Sequence, residues 1–229
     1  MKKITIYQII IIILSLLSLL LLIILFKNNL SEPFINNNSE LLFSKIASKY
    51  SGTNNDSDGT DKSTVHSYDT VYDKILLPYK DIATSVLEIG IKTGAALNAY
   101  SEYFINANIY GIDIQNQILP QYKKIPKTKI YFGDALDEKT INHFNTTYDI
   151  IIEDGSHLIE HQIQHFKDYS KFIKPGGMYI IEDVDNKYVS TLFNETHATS
   201  KDLNFILTIY DLRNNKDRYD DILFVFTKK

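Results

Sequence analysis

Five times between Ser85 and Asp183 a short apolar run leads into an acidic residue, with turn-forming or helical sequence after it. Residues 86–89 enclose Glu88, 109–114 carry Asp113, and 129–132 are followed by Gly133 and Asp134. Residues 148–152 lead into Glu153 and Asp154, and 178–181 into Glu182 and Asp183. Uninterrupted apolar strands belong in a parallel sheet covered on both faces, and strands alternating with helices make that sheet doubly wound. Two last runs, 205–210 and 222–226, are joined by a polar loop and fit an antiparallel hairpin at one end of it. The fold class is therefore α/β: a doubly wound, mostly parallel sheet with an antiparallel C-terminal hairpin.

In an open parallel sheet the ligand crevice lies outside the C-terminal strand ends. Acids are common loop and N-cap residues, so one of them carries no weight. Five in series aim carboxylates at one cleft. After the first run come Gly90, Gly94 and a helical pattern. That turn leaves backbone N–H groups unpaired at a helix N-terminus, where a ligand carboxylate fits. A dinucleotide-binding loop would read Gly-x-Gly-x-x-Gly with no acid in the strand end. Here Glu88 stands two residues before Gly90, and Lys92 takes the place of a middle glycine. Such an acid suits a ligand that presents a cation, which weighs against a nicotinamide-dependent oxidoreductase. Asp113, 25 residues beyond Glu88, is placed to accept both hydroxyls of a ribose, and Asp134 to meet an adenine amino group. Asp154, Glu182 and Asp183 come from adjacent strands, about 4.8 Å apart, and can converge. Carboxylates that close repel one another, and a hard divalent cation relieves the repulsion; all-oxygen ligation favours magnesium over zinc.

Residues 158–173 read as a helix ended by Lys174-Pro175-Gly176-Gly177. His157 stands at its N-terminus, three residues after Asp154, where it can bind substrate or act as a base. His161 and His165 are spaced along the helix but lie off its apolar face of Ile159, Ile163, Phe166 and Ile173, and are expected to be solvated rather than zinc-binding. Upstream, residues 4–26 carry no charge and would span about 35 Å as a helix, enough for a single-pass N-terminal membrane anchor. Lys2 and Lys3 before the span and Lys27 after it leave its orientation open. Residues 27–38 read as a linker and 39–229 as the domain. Short helices are expected over 39–50, capped by Ser39, and over 71–78, with a polar loop at 51–61 between them. The net charge of −4 is spread along the chain and leaves no basic face for nucleic acid. The absence of cysteine excludes disulfides, thiolate metal sites and thiol nucleophiles. Nothing in the sequence decides the oligomeric state.

From about Leu41 onward the chain resembles the class I S-adenosylmethionine-dependent methyltransferases. Within them it is similar to the magnesium-dependent sugar O-methyltransferases of macrolide and related antibiotic pathways. The stretches that carry the resemblance are Gly59-Thr60-Asp61-Lys62 with His66 and Tyr68, Val86-Leu87-Glu88-Ile89-Gly90, 109–114, 149–157 with His161, and 174–183. The resemblance implies the Rossmann-like methyltransferase fold and a cofactor site at Glu88, Gly90, Asp113 and Asp134. It also implies a loop with Lys62 and Tyr68 that closes over the cofactor, and metal ligands at Asp154, Glu182 and Asp183. The sugar enzymes place a general-base histidine on a strand near the C-terminus; 204–212 has none here, which leaves His157 as the candidate base. Their large N-terminal domain is replaced by the apolar span. The expectation is a membrane-anchored O-methyltransferase that uses S-adenosyl-L-methionine and Mg2+ on a sugar, glycan or small-molecule hydroxyl. A catalytically inactive, anchored interaction module is the further rival, and the retained acid series argues against it.

Overall fold

The computed structural model describes residues 42–52 and 58–229. The expected membrane span at 4–26, the linker at 27–38 and the Ser39 cap lie outside the described residues. Among the described residues, no helix is long and apolar enough to cross a membrane. Seven strands form one sheet: β1 Ser85–Ile89, β2 Asn108–Asp113, β3 Thr128–Phe132, β4 Tyr148–Glu153, β5 Ile173–Ile181, β6 Phe205–Asp211 and β7 Ile222–Lys228. Their order is β3-β2-β1-β4-β5-β7-β6. The first five strands pair in parallel, and β7 runs antiparallel to both β5 and β6. The hairpin read from the sequence is therefore present, and its second strand is the one wedged into the sheet.

Six helices bear on the argument: α1 Phe43–Ser48, α2 Asp69–Ile75, α3 Ala95–Tyr103, α4 Glu138–His143, α5 Ile159–Tyr169 and α6 Val189–Asp202. Successive side chains of a strand point to opposite faces. Val86, Ile150 and Ile180 therefore join Phe43, Tyr72 and Tyr100 of α1–α3 in one apolar layer. Leu87, Ile151 and Ile181 join Ile159 and Phe166 of α5 and Leu192 of α6 in the other. Strands buried on both faces read as unbroken apolar runs, which is why β1, β4 and β5 were legible. The same alternation sorts the acids. Glu88 and Glu182 continue the first face, and Glu153 continues the second.

Two sequence expectations need correction. The helix expected over 158–173 ends at Tyr169; one 3-10 turn follows, and Ile173 already pairs with Tyr148 of β4. The turn expected at 174–177 is a bulge inside β5, because the ladder jumps from Tyr148–Ile173 to Ile150–Met178. Gly176 sits there at φ +77°, with open space around it. Local sequence marks the turn correctly but cannot reveal that the strand has begun before it.

Candidate active site

Strand order reverses at β1, which has β2 on one side and β4 on the other. A cavity of about 440 Å³ opens at the C-terminal ends there, lined by Glu88, Gly90, Asp113, Asp154, His157 and Asp183 among others. A second chamber of about 240 Å³ shares Gly90, Asp113 and Gly155 with it and extends past Asp134 and His165. Such a switch point is where open α/β sheets place ligands.

Gly90 makes the first turn possible. Its φ is +87°, and a Cβ there would lie 2.0 Å from the Asp154 carbonyl oxygen, so no side chain fits. Asp113 holds the turn from across the cavity: its Oδ2 accepts the N–H of Ile91 at 3.0 Å and of Lys92 at 2.8 Å. Gly94 caps α3 at φ +82° and faces Ile118 and Tyr122, not the chambers. Asp134 accepts the Leu136 N–H at 2.9 Å and lines the second chamber.

Glu88 is fully buried, lines the first cavity, and neither of its oxygens has a hydrogen-bond partner. Burial pushes its carboxyl up to about 8, although the Lys62 ammonium 3.6 Å away pulls the other way. Lys62 is buried as well. Its Nζ donates to Asp154 Oδ2 at 2.7 Å and to Glu182 Oε2 at 2.6 Å. Burial alone would lower its pKa, but Asp154 and Glu182 beside it hold the value well above the ordinary lysine range. The other Glu182 oxygen accepts from the Tyr72 hydroxyl. Tyr68 donates its hydroxyl to Asp183 and accepts the Asp183 N–H at 3.1 Å. Gln162 Nε2 donates to the Glu182 carbonyl at 2.9 Å. These bonds hold Asp183 at φ +54°, a left-handed conformation that costs about 1–3 kcal/mol outside glycine. His157 is left-handed too, at φ +57°, and its Nε2 lies 3.4 Å from Asp183 Oδ2.

The ligand atoms of Asp154, His157 and Asp183 all lie within 4.8 Å of one another. Two carboxylates and an imidazole at that spacing can hold a divalent cation. Burial, reinforced by Asp154, raises Asp183 to about 6. Burial acts on Asp154 in the same direction, but Lys62 and then His157 outweigh it and hold its carboxyl below the ordinary range.

The residues singled out from sequence thus fall into four places. Glu88, Gly90, Asp113, Asp154, His157 and Asp183 surround one cavity. Lys62, Tyr68 and Glu182 stand behind its wall, Asp134 lies in the second chamber, and Gly94 lies in neither. His165, expected to be solvated, is buried, with Nδ1 3.1 Å from Glu153 Oε1. The buried face of α5 is Ile159, Gln162, His165, Phe166 and Tyr169, and its two polar members find partners across the sheet end. Tyr72, Gln162 and Asp221 carry no sequence signal, because their partners lie on distant elements. Asp221, fully buried, stands 3.2 Å from His66 Nδ1.

No family model matches the chain. Over 140 residues, 57% of this chain and 36% of the relative, it is 29% identical to the 8-demethyl-8-alpha-L-rhamnosyl tetracenomycin-C 2'-O-methyltransferase of Streptomyces olivaceus. Over 135 residues, 55% of this chain and 33% of the relative, it is 30% identical to the demethylmacrocin O-methyltransferase of Streptomyces fradiae. The chain spans about a third of the length of these curated relatives. Among solved structures it is similar to the MycE methyltransferase from the mycinamycin biosynthetic pathway, in complex with Mg and SAH. The TM-score is 0.63 at 19% identity, over 82% of this chain and 54% of that one. The chain has the Rossmann-like class I methyltransferase fold, and the relatives it matches in sequence are macrolide and sugar O-methyltransferases.

Proposed function

We propose that the chain is an S-adenosyl-L-methionine-dependent O-methyltransferase that acts on a hydroxyl of a sugar, glycan or small molecule with a divalent cation, Mg2+, at the acceptor. The observation that carries the reading is Glu88, a buried carboxyl group that faces a cavity at the sheet's switch point and is left without a hydrogen bond, with Lys62 Nζ 3.6 Å away. The α-amino group of the cofactor is the cation that satisfies it. The names of the matched relatives and the magnesium and SAH of the MycE structure support the same chemistry. Asp154 and Asp183 would hold the metal with His157 beside them, and Glu182 stands behind Lys62.

When bound, the cofactor supplies a methyl on a sulfonium and the metal supplies a Lewis acid for the acceptor oxygen. The chain's own residues bind and orient. Glu88 fixes the amino-acid end; the N–H groups of the Gly90 loop, expected from the sequence to be unpaired, are taken by Ile112 and Asp113 and shape the turn instead. Asp113 and Asp134 serve the ribose and the base. His157, 41% exposed at the cavity mouth, accepts the acceptor's proton, with Asp183 at 3.4 Å steadying the resulting imidazolium. Holding an acceptor in line with an already reactive methyl is where most of the rate comes from. The uncharged run at 4–26 supports an N-terminal membrane anchor for this domain.

Calorimetry with S-adenosylhomocysteine, with and without magnesium, tests the reading. Binding is expected in both conditions. Nicotinamide dinucleotide binding without any S-adenosylhomocysteine binding overturns it. The variant Asp154→Asn should abolish magnesium-dependent methyl transfer while leaving S-adenosylhomocysteine affinity within a few fold.

A further inference from the structure

The pair Glu153 and His165 has no part in the chemistry above, yet it is built with care. Glu153 ends β4 on the face opposite Glu88 and Glu182, and it is fully buried. Its Oε1 meets two groups, His165 Nδ1 at 3.1 Å and the Gly155 N–H at 3.3 Å. Its Oε2 has no partner. A buried carboxylate left so is costly, and it is tolerated where its remaining contact is needed. His165 comes from the middle of α5 and is only 4% exposed, but its ring lines the second chamber with Asp134 and Ala135.

The glycine at 155 makes that exposure possible. A Cβ there would lie 2.9 Å from Glu153 Oε1 and 3.7 Å from His165 Cε1. Gly155 lines both chambers, and the lack of a side chain there leaves the Cε1 side of the His165 ring uncovered by it. Donors converge on Glu153 Oε1, so the proton between the pair belongs to Nδ1. With Nδ1 taken by Glu153, Nε2 is the ring nitrogen left for a ligand in the chamber.

We propose that His165 is a specificity residue for the nucleobase: held by Glu153, its Nε2 accepts a hydrogen bond from the 6-amino group of adenine in the second chamber. This rests on the cofactor reading above and adds a discrimination to it. The chamber offers acceptors, Asp134 and His165, to the edge of the base. A 6-amino purine satisfies them, and a 6-oxo purine sets its own acceptor against them. A site built to pair with a donor rejects the analogue lacking it, because buried groups are left unpaired.

The test compares S-adenosylhomocysteine with S-inosylhomocysteine, which carries oxygen in place of the 6-amino group, by calorimetry on the full chain. The natural chain should prefer the adenine compound by at least tenfold. His165→Leu should weaken the adenine compound about tenfold and leave the inosine compound unchanged, bringing the ratio toward one. His165→Gln, which keeps a donor for Glu153 and an acceptor for the base, should keep most of the preference. On the natural chain, the nitrogen-15 resonance of His165 Nε2 should shift upfield with the adenine compound and not with the inosine one, a readout independent of whether a variant folds. An unchanged ratio in a folded His165→Leu chain, or an unmoved Nε2 resonance, overturns the inference and leaves the cofactor reading standing. Failure of the natural chain to bind either compound overturns both.

Discussion

A single ammonium decides how the candidate site stands without a ligand. Lys62 reaches Asp154 and Glu182, 92 and 120 residues away, and fills the space in which a cation shared by those two carboxylates would lie. The acids were legible one by one, each at a strand end. That Glu182 turns from the cavity toward Lys62 and Tyr72 was not, since nothing local tells a loop lysine which carboxylates will neutralise it. His165 makes the same point: off the apolar stripe it reads as solvated, and only Glu153 on another element makes its burial tolerable. The variant Lys62→Met keeps the length and apolar stem of the lysine but removes the charge from among Glu88, Asp154 and Glu182. Loss of one partner from a buried ion pair costs about 3–5 kcal/mol, so the metal-free variant should melt well below the natural chain. The freed carboxylates should bind Mn2+ at least tenfold more tightly, and the added metal should restore much of the lost stability. Calorimetry and thermal melts with and without Mn2+ check this. Metal affinity equal to that of the natural chain would show that Lys62 and the ion do not compete.

Away from the site, a second carboxylate organises the strands at their opposite ends. Asp149, the second residue of β4, accepts the N–H of Thr84 at 2.7 Å, the N–H of Ser85 at 3.0 Å and Lys174 Nζ at 2.8 Å. It thus ties the start of β1 and the bulge of β5 to β4. The clamp explains why residues 174–177 make a bulge and not the end of a helix. Lys174 is held, the loop swings out around Gly176, and Met178 rejoins the ladder. Strand cores were readable from apolar runs, whereas this irregular start depends on a contact with β4 that periodicity does not encode. Burial would raise the Asp149 carboxyl, but Lys174 and Thr84 outweigh it and lower it. A lowered folded-state value means that the contribution is complete above the unfolded value of about 3.9 and fades as pH falls through the folded one. The variant Asp149→Asn should therefore lose about 2 kcal/mol at pH 7, the range for hydrogen bonds to a charged group. The gap from the natural chain should close below about pH 4. Urea unfolding at pH 7 and pH 3 measures it, and a gap that is the same at both values would mean the charge is immaterial.

At the scale of the whole chain, the residues that build the two apolar layers and the sheet between them run from Phe43 to Lys228. Residues Leu41–Lys229 form a compact unit by themselves, with both helix layers and every strand described here inside it. The cavity walls come from the same unit, from Gly59 to Asp220. In the sequence, an uncharged run followed by polar sequence contrasts sharply with the alternating pattern that begins at β1. Two jobs assigned to two stretches can be separated by deletion. A chain lacking residues 1–40 should bind S-adenosylhomocysteine within about twofold of the full chain. Its distribution should change completely: the full chain should pellet with membranes, resist carbonate and be released by detergent, while the shortened one stays in the supernatant. Twenty-three uncharged residues exceed the roughly 20 that a bilayer core requires, so the pelleting needs no partner protein. A full chain found in the supernatant would remove the anchor without touching the site. A shortened chain that pellets and loses cofactor binding would mean instead that the first forty residues complete the fold.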